Sequence, residues 1–171
     1  MSILLISGGA RSGKSRNAES RTLSLSHSLA AGPIYIATAT ALDDEMRARI
    51  RTHQARRTDV WHTIEVPLAL AQALDESDGG GPRLVDCLTL WLSNLLHAEH
   101  DWRQDVETLC ETLKRQRAPV TLVTNEVGLG IVPDNALARR FRDAAGMLNQ
   151  MVAEVADEVV FMVSGLPMKV K

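Results

Sequence analysis

The sequence predicts an α/β fold in which helices cover both faces of a mostly parallel central sheet. Three observations predict it. Short apolar runs alternate with longer stretches of helical periodicity along the chain. The first run, Ile3 to Ile6, passes directly into a glycine-rich turn that opens a helical pattern. The 171 residues are 45% hydrophobic and 23% charged, enough to build a core without disulfides or metals as staples. That length suits one domain over 1–171.

Each element has a local reason. Ile3-Leu4-Leu5-Ile6 reads as a buried strand closed by Gly8-Gly9, and residues 14–30 follow as a helix. Pro33 to Ala37 is rich in β-formers after a Gly-Pro break. Residues 43–57 read as a helix whose first acids, Asp43 and Asp44, suit the dipole. Thr63 to Val66 is a short strand, Leu68 to Leu74 a short helix, and Arg83-Leu84-Val85 a strand ending at Asp86. The patch Asp78-Gly79-Gly80-Gly81-Pro82 reads as a turn or short flexible loop. Residues 88–97 and 102–117 are helical, and Val120 to Thr124 is a strand. In 134–156, Leu137, Phe141, Ala145, Leu148, Val152 and Val155 recur at steps of three and four, with Asp134 as the N-cap. Glu158 to Val163 reads as the last strand, ending at Ser164-Gly165. Such a sheet carries ligands at the carboxyl ends of its strands.

Composition excludes several classes. A net charge of -2 gives no global basic footprint, so no nucleic-acid partner is expected. Cys87 and Cys110 make no disulfide framework and read as reduced thiols of a cytoplasmic protein. No apolar window approaches the about 20 residues of a spanning helix, so no membrane insertion is expected.

The sharpest motif is Gly8-Gly9-Ala10-Arg11-Ser12-Gly13-Lys14-Ser15, a full match to G-x-x-x-x-G-K-[ST] between a strand and a helix. Gly8 and Gly13 let the backbone approach phosphate oxygens, and successive N–H groups face the anion. Lys14 reaches the β- and γ-phosphates, and Ser15 offers its hydroxyl to Mg²⁺. The predicted fold is therefore P-loop NTPase-like. A second acid for the ion is expected at the end of a neighbouring strand, and Asp86 is the candidate. Thr124-Asn125-Glu126-Val127 lacks the Asn-Lys-x-Asp reader of guanine switches, which argues against a regulatory GTPase.

The segment Arg47 to Arg57 holds five arginines, and Arg49, His53, Arg56 and Arg57 share one helical face. Guanidinium groups there could grip a triphosphate and keep a neighbouring imidazole neutral and nucleophilic. The same pattern fits a solvated basic helix with an incidental histidine. It fits an RNA patch less well, since no aromatic residues interleave. His27, His97 and His100 read as surface residues. Trp61, Trp91 and Trp102 read as core or interface.

Taken together, these motifs resemble the bifunctional adenosylcobinamide kinase / adenosylcobinamide-phosphate guanylyltransferase family of cobalamin biosynthesis. The resemblance runs nearly end to end. It rests on the phosphate loop, Tyr35-Ile36-Ala37-Thr38, Asp43-Asp44-Glu45-Met46 with His53, and Asp86-Cys87-Leu88-Thr89 with Asn94. Most specific is Asn125-Glu126-Val127-Gly128 with Gly130-Ile131-Val132-Pro133, followed by Asn149-Gln150 and Val163-Ser164-Gly165. It implies two reactions: phosphorylation of adenosylcobinamide by ATP or GTP, then transfer of GMP from GTP through a guanylylated histidine, His53. It implies catalytic roles for His53 and Lys14 and Mg²⁺ at Ser15 and Asp86. Implied nucleotide contacts are Gly8, Gly9, Ala10, Arg11, Ser12, Gly13, Lys14, Ser15, Ala37, Thr38, Ala39, Gln54, Arg56, Arg57, Glu65 and Asp86. It also implies a homotrimer. The alternatives are a P-loop small-molecule kinase without nucleotidyl transfer and a non-catalytic nucleotide-binding regulator.

Overall fold

The computed structural model describes residues 2–41, 44, 47, 48, 51 and 59–171. Strands β1 (Ile3–Gly8), β2 (Ile34–Ala37), β3 (His62–Glu65), β4 (Arg83–Asp86), β5 (Val120–Val123), β6 (Glu158–Val163) and β7 (Leu166–Lys169) form one sheet. Their order is β3-β2-β4-β5-β1-β6-β7. Every pairing is parallel except β6 with β7. Helices α1 (Lys14–Leu29), α2 (Leu70–Glu76), α3 (Leu88–His97), α4 (Trp102–Arg115) and α5 (Ala136–Val155) connect them. The predicted helix over 43–57 lies mostly outside the described residues, where Asp44, Arg47, Ala48 and Arg51 are helical.

Side chains alternate across the sheet, so the inner strands serve two cores. Ile3, Leu5, Ile36, Val85 and Leu122 face α2 to α5, whose Leu74, Leu92, Leu109 and Leu148 complete the larger core. Leu4, Ile6, Tyr35, Leu84 and Val123 face the other way and meet Ala18 of α1. Helices therefore cover both faces, as the sequence predicts. Trp91 is buried and donates Nε1–H to Leu68 O at 2.7 Å, while Trp61 and Trp102 are half-buried. His27, His97 and His100 are exposed.

Side-chain caps explain the starts of α4 and α5. Asp101 accepts from the Arg103 and Gln104 N–H groups at the start of α4, and Lys114 and Arg115 sit at its dipole-matched end. That helix stops at Arg115, two residues short of the prediction, because Gln116 turns extended and buries its side chain. α5 begins later than predicted. Its cap is Asn135, not Asp134, and the Asn135 side chain accepts from Ala138 N–H at 2.7 Å. Leu137 is therefore in the first turn and exposed, although the periodicity puts it on the core face.

One further expectation needs correction. The sheet does not end at Val163: Ser164 and Gly165 turn the chain back, and β7 pairs antiparallel with β6. All of β7 is exposed, so its sequence carries no buried-face alternation. The 78–82 patch takes the first of its two predicted forms, a turn, and it is tied down. Asp78 accepts from Arg83, from Arg117, and from the backbone N–H groups of Arg117 and Ala118. Arg83, fully buried at the start of β4, also donates to Gln116 and Ala118 O. Burial opposes the Asp78 charge, but these hydrogen bonds prevail and hold its carboxyl well below the usual range.

Candidate active site at the phosphate loop

The phosphate loop leaves β1 at Gly8 and enters α1 at Lys14. Gly8 has φ 151°, and a Cβ there would stand 2.8 Å from Met162 O and 2.9 Å from Ser12 Oγ. Gly13, the residue before α1, has φ 94°, a left-handed geometry that glycine adopts without strain. Between them Arg11 is also left-handed, at φ 55°. No side chain caps α1 and no acid lies in its first turn. Its first N–H groups and positive dipole end thus face the loop's own concavity, the arrangement that binds anions.

Lys14 is 7% exposed, and its Nζ donates to Gly9 O at 2.6 Å, which lays the ammonium across the loop. Burial lowers its pKa, while the attraction of Cys87 and Asp86 pulls the other way. The cation is therefore buried next to the acid that the sequence nominated.

Register brings that acid into place. Ala37 pairs with both Glu65 and Asp86, Asp86 with Val123, and Val123 with Ile6. One row thus crosses the carboxyl end of the sheet from Glu65 to the strand that carries the loop. Asp86 shares its face with Leu84, which belongs to the core under α1. α1 packs across β1, β5 and β4, and Lys14 in its first turn is close enough to feel the Asp86 charge. Ser15 and Asp86 supply hard oxygen donors on that face. Among the described residues no three His, Cys, Asp or Glu side chains gather as a metal cage. One hydroxyl and one carboxylate fit Mg²⁺, which keeps waters and completes its shell with substrate phosphates.

Asp86 is held from two sides. Tyr35 Oη donates to Asp86 Oδ2 at 2.7 Å, and the Tyr35 ring meets Trp61 edge-on. Thr38 Oγ1 donates to Cys87 O at 2.7 Å and accepts from Cys87 N–H at 2.8 Å. The Thr38 N–H donates to Asp86 O, and its carbonyl accepts from Asn94 Nδ2. The polar groups of Thr38 therefore clamp the 86–87 backbone. Cys87 lies inside this clamp, and burial pushes its thiol up to about 12.

β5 stands between the loop strand and the Asp86 strand, so its tip faces both. Thr124 donates to Asn149 Oδ1 at 2.6 Å, Asn149 Nδ2 donates to Asn125 O, and Asn125 N–H donates to Thr89 Oγ1. Glu126 N–H donates to Gly8 O at 3.0 Å, which ties this turn to the phosphate loop. Gly165 N–H donates to Ser12 O from the β6–β7 turn. In the sequence, Tyr35, Thr89, Asn94 and Asn149 stand out only as marks of resemblance. Their site roles join residues far apart in sequence, and a buried polar side chain at a strand or helix end is the one local signal they leave.

The structure thus brings Gly8 to Ser15, Ala37, Thr38 and Asp86 together. Glu65 is exposed on β3, four strand spacings or roughly 19 Å from β1. Ala39 follows Thr38 on the same end. His53, Gln54, Arg56 and Arg57 lie outside the described residues, as do Arg49 and Asp43.

A mostly parallel sheet with this loop, a buried lysine and an acid two strands away defines a P-loop NTPase-like protein. Solved structures with the same fold include a KaiC-like protein from Pyrococcus horikoshii, with TM-score 0.53 and 12% identity over 94% of this chain and 70% of that one. Another is the flagellar accessory protein FlaH from Methanocaldococcus jannaschii, with TM-score 0.56 and 12% identity over 99% of this chain and 78% of that one.

Within that class, residues 4–170 match the CobU family, described as cobinamide kinase / cobinamide phosphate guanyltransferase, and the chain belongs to it. Its relatives include the bifunctional adenosylcobalamin biosynthesis protein CobP of Pseudomonas aeruginosa, 51% identical over 98% of this chain and 96% of that protein. The corresponding CobU proteins of Salmonella typhimurium and Escherichia coli are 42% and 40% identical, each over 99% of both chains.

Proposed function

We infer that the protein is a bifunctional transferase, a cobinamide kinase and cobinamide phosphate guanylyltransferase. The observation that carries the reading is the proximity of Lys14 to Asp86 at the phosphate loop in a chain of this family. The kinase step uses ATP or GTP. The hydroxyl of adenosylcobinamide attacks the γ-phosphorus, a new P–O bond forms, and the bond to the β–γ bridging oxygen breaks. The loop N–H groups and Lys14 hold the phosphate oxygens and stabilise the charge that shifts to the leaving diphosphate. When bound, Mg²⁺ would be held by Ser15 and Asp86 and would neutralise phosphate charge and orient the phosphates. Thr38 and Tyr35 keep Asp86 aimed at that position.

In the second reaction a ring nitrogen of neutral His53 attacks the α-phosphorus of GTP and displaces pyrophosphate. An oxygen of adenosylcobinamide phosphate then attacks the phosphoramidate, which frees His53 and yields adenosylcobinamide-GDP. The covalent intermediate divides one difficult displacement into two. Gln54, Arg56 and Arg57 steady the nucleotide beside His53, and Ala37, Ala39 and Glu65 serve its nucleoside end.

The chain acts as one domain, a reading supported by the sheet that holds all seven strands among the described residues. It assembles as a homotrimer in the cytoplasm. Supporting assembly, Val163, Leu166, Met168 and Val170 are exposed along the β6–β7 edge, an apolar margin that a second copy would cover. Among the described residues no helix is long and apolar enough to cross a membrane.

The test uses GTP labelled at the α-phosphate, Mg²⁺ and no corrinoid. Label retained on the denatured protein, stable to base and released by acid, marks a phosphoramidate. It is expected in the wild type and absent in His53→Ala, which retains kinase activity. Bound nucleotide without label in the wild type would overturn the covalent step and leave a kinase alone.

A further inference from the structure

Beside the phosphate site, one loop presents apolar side chains that the fold does not use. Residues 127–132 leave the tip of β5, with Leu129 82% and Ile131 98% exposed. Val127 and Val132 are also exposed, as is Leu137 in the first turn of α5. No charged residue lies between Val127 and Pro133. Contiguous apolar exposure next to a polar site marks a binding surface.

The loop is fixed at both ends. Glu126 N–H donates to Gly8 O, and the Glu126 carboxylate accepts from Gly128 N–H. At the far end Arg139 Nη1 donates to Pro133 O at 3.0 Å and to Asp134 O at 2.6 Å. The apolar side chains are therefore held outward by a tied frame. Gly130 adds open space around the chain.

The root of the loop at Gly8 restricts the occupant to something that meets the phosphates held by the phosphate loop. Nucleotide phosphates are highly charged, and an uncharged apolar loop offers them nothing. The acceptor is different: a corrinoid is a wide macrocycle with apolar faces and a rim of neutral carboxamides. We propose that residues 127–132, with Leu137, form the platform on which the corrinoid ring of cobinamide rests while its hydroxyl reaches the phosphate loop. This rests on the cobinamide kinase reading above. Ring contact on the platform, with the hydroxyl directed at the γ-phosphate held beside Lys14, makes the loop a binding element.

The test uses the full-length enzyme with Leu129→Ser, Ile131→Ser and the double variant. Each serine is expected to raise the cobinamide KM about tenfold, equivalent to roughly 1.4 kcal/mol of lost apolar contact. The double variant should raise it about a hundredfold. The kcat, the ATP KM, corrinoid-independent labelling by GTP and the particle mass by light scattering should not change. Ile131→Leu, which keeps apolar volume, should retain the wild-type KM. An unchanged cobinamide KM in the double variant would overturn the inference, as would a fall in particle mass, which would assign the loop to contacts between copies. A wild type that fails to phosphorylate cobinamide would overturn the kinase reading itself, before any variant is made.

Discussion

Replacing Tyr35 with phenylalanine removes one oxygen from the site and little else. The ring stays, and so does its contact with Trp61, 5.7 Å between centroids at 88°. The loss is the 2.7 Å hydrogen bond to Asp86 Oδ2. Tyr35 is 3% exposed, so water does not readily replace that hydroxyl. A hydrogen bond to a charged acceptor contributes about 1.5–3 kcal/mol. At 1.4 kcal/mol per decade, that is roughly a ten- to hundredfold effect, the range found when outer partners of metal ligands are deleted. The expected outcome of Tyr35→Phe is a shift of this size in the Mg²⁺ midpoint. It can be read by titrating Mg²⁺ against a fluorescent nucleotide and, separately, against kinase rate. Rate at saturating Mg²⁺ should recover most of the wild-type value, because Lys14 and the loop N–H groups are untouched. A Mg²⁺ midpoint within twofold of wild type, in a variant that melts normally, would refute the assignment of Tyr35 as the residue that positions Asp86. So would an activity loss that no Mg²⁺ concentration restores.

Other predictions concern the frame and its thiol. Asp78→Ala strands the fully buried Arg83 guanidinium and should cost about 3–5 kcal/mol in urea denaturation; the added change Arg83→Met should recover part of that loss. The folded pKa of Asp78 is depressed, so its contribution is present above the unfolded value of about 3.9 and is lost as pH falls below it. Wild-type stability should therefore decline below about pH 4, and this decline should be shallower in Asp78→Ala. Cys87, with its thiol pushed up to about 12, should resist iodoacetamide at pH 8 in the native protein and react once urea unfolds it, as peptide mass mapping would report.

Much of the fold is legible in the chain. The phosphate loop announces itself because its chemistry is local: two glycines, a lysine and a serine at set spacing between a strand and a helix. The strands β1, β2, β4 and β5 stand where apolar runs predict them, because each is buried on both faces; β6 does so with only Val160 and Met162, on one face, fully buried. β7 escapes notice because all four of its residues are exposed and nothing constrains their pattern. Asp134 and Asn135 are both good caps, and only the backbone geometry chooses Asn135. Asp78 reads as a turn residue, since its partners Arg83, Arg117 and Ala118 are assembled by the fold.

The site divides in the same way. The sequence alone determined the phosphate loop, the candidacy of Asp86 as a strand-end acid, and the family, because glycine placement and periodic burial act over a few residues. Strand order and register were decided only in three dimensions: β5 lies between β1 and β4, and Glu65, Ala37 and Asp86 stand in one row. So were the Tyr35–Asp86 and Thr124–Asn149 hydrogen bonds, which join residues 51 and 25 apart. Contacts of that range depend on how elements pack, and packing leaves no periodic trace along the chain.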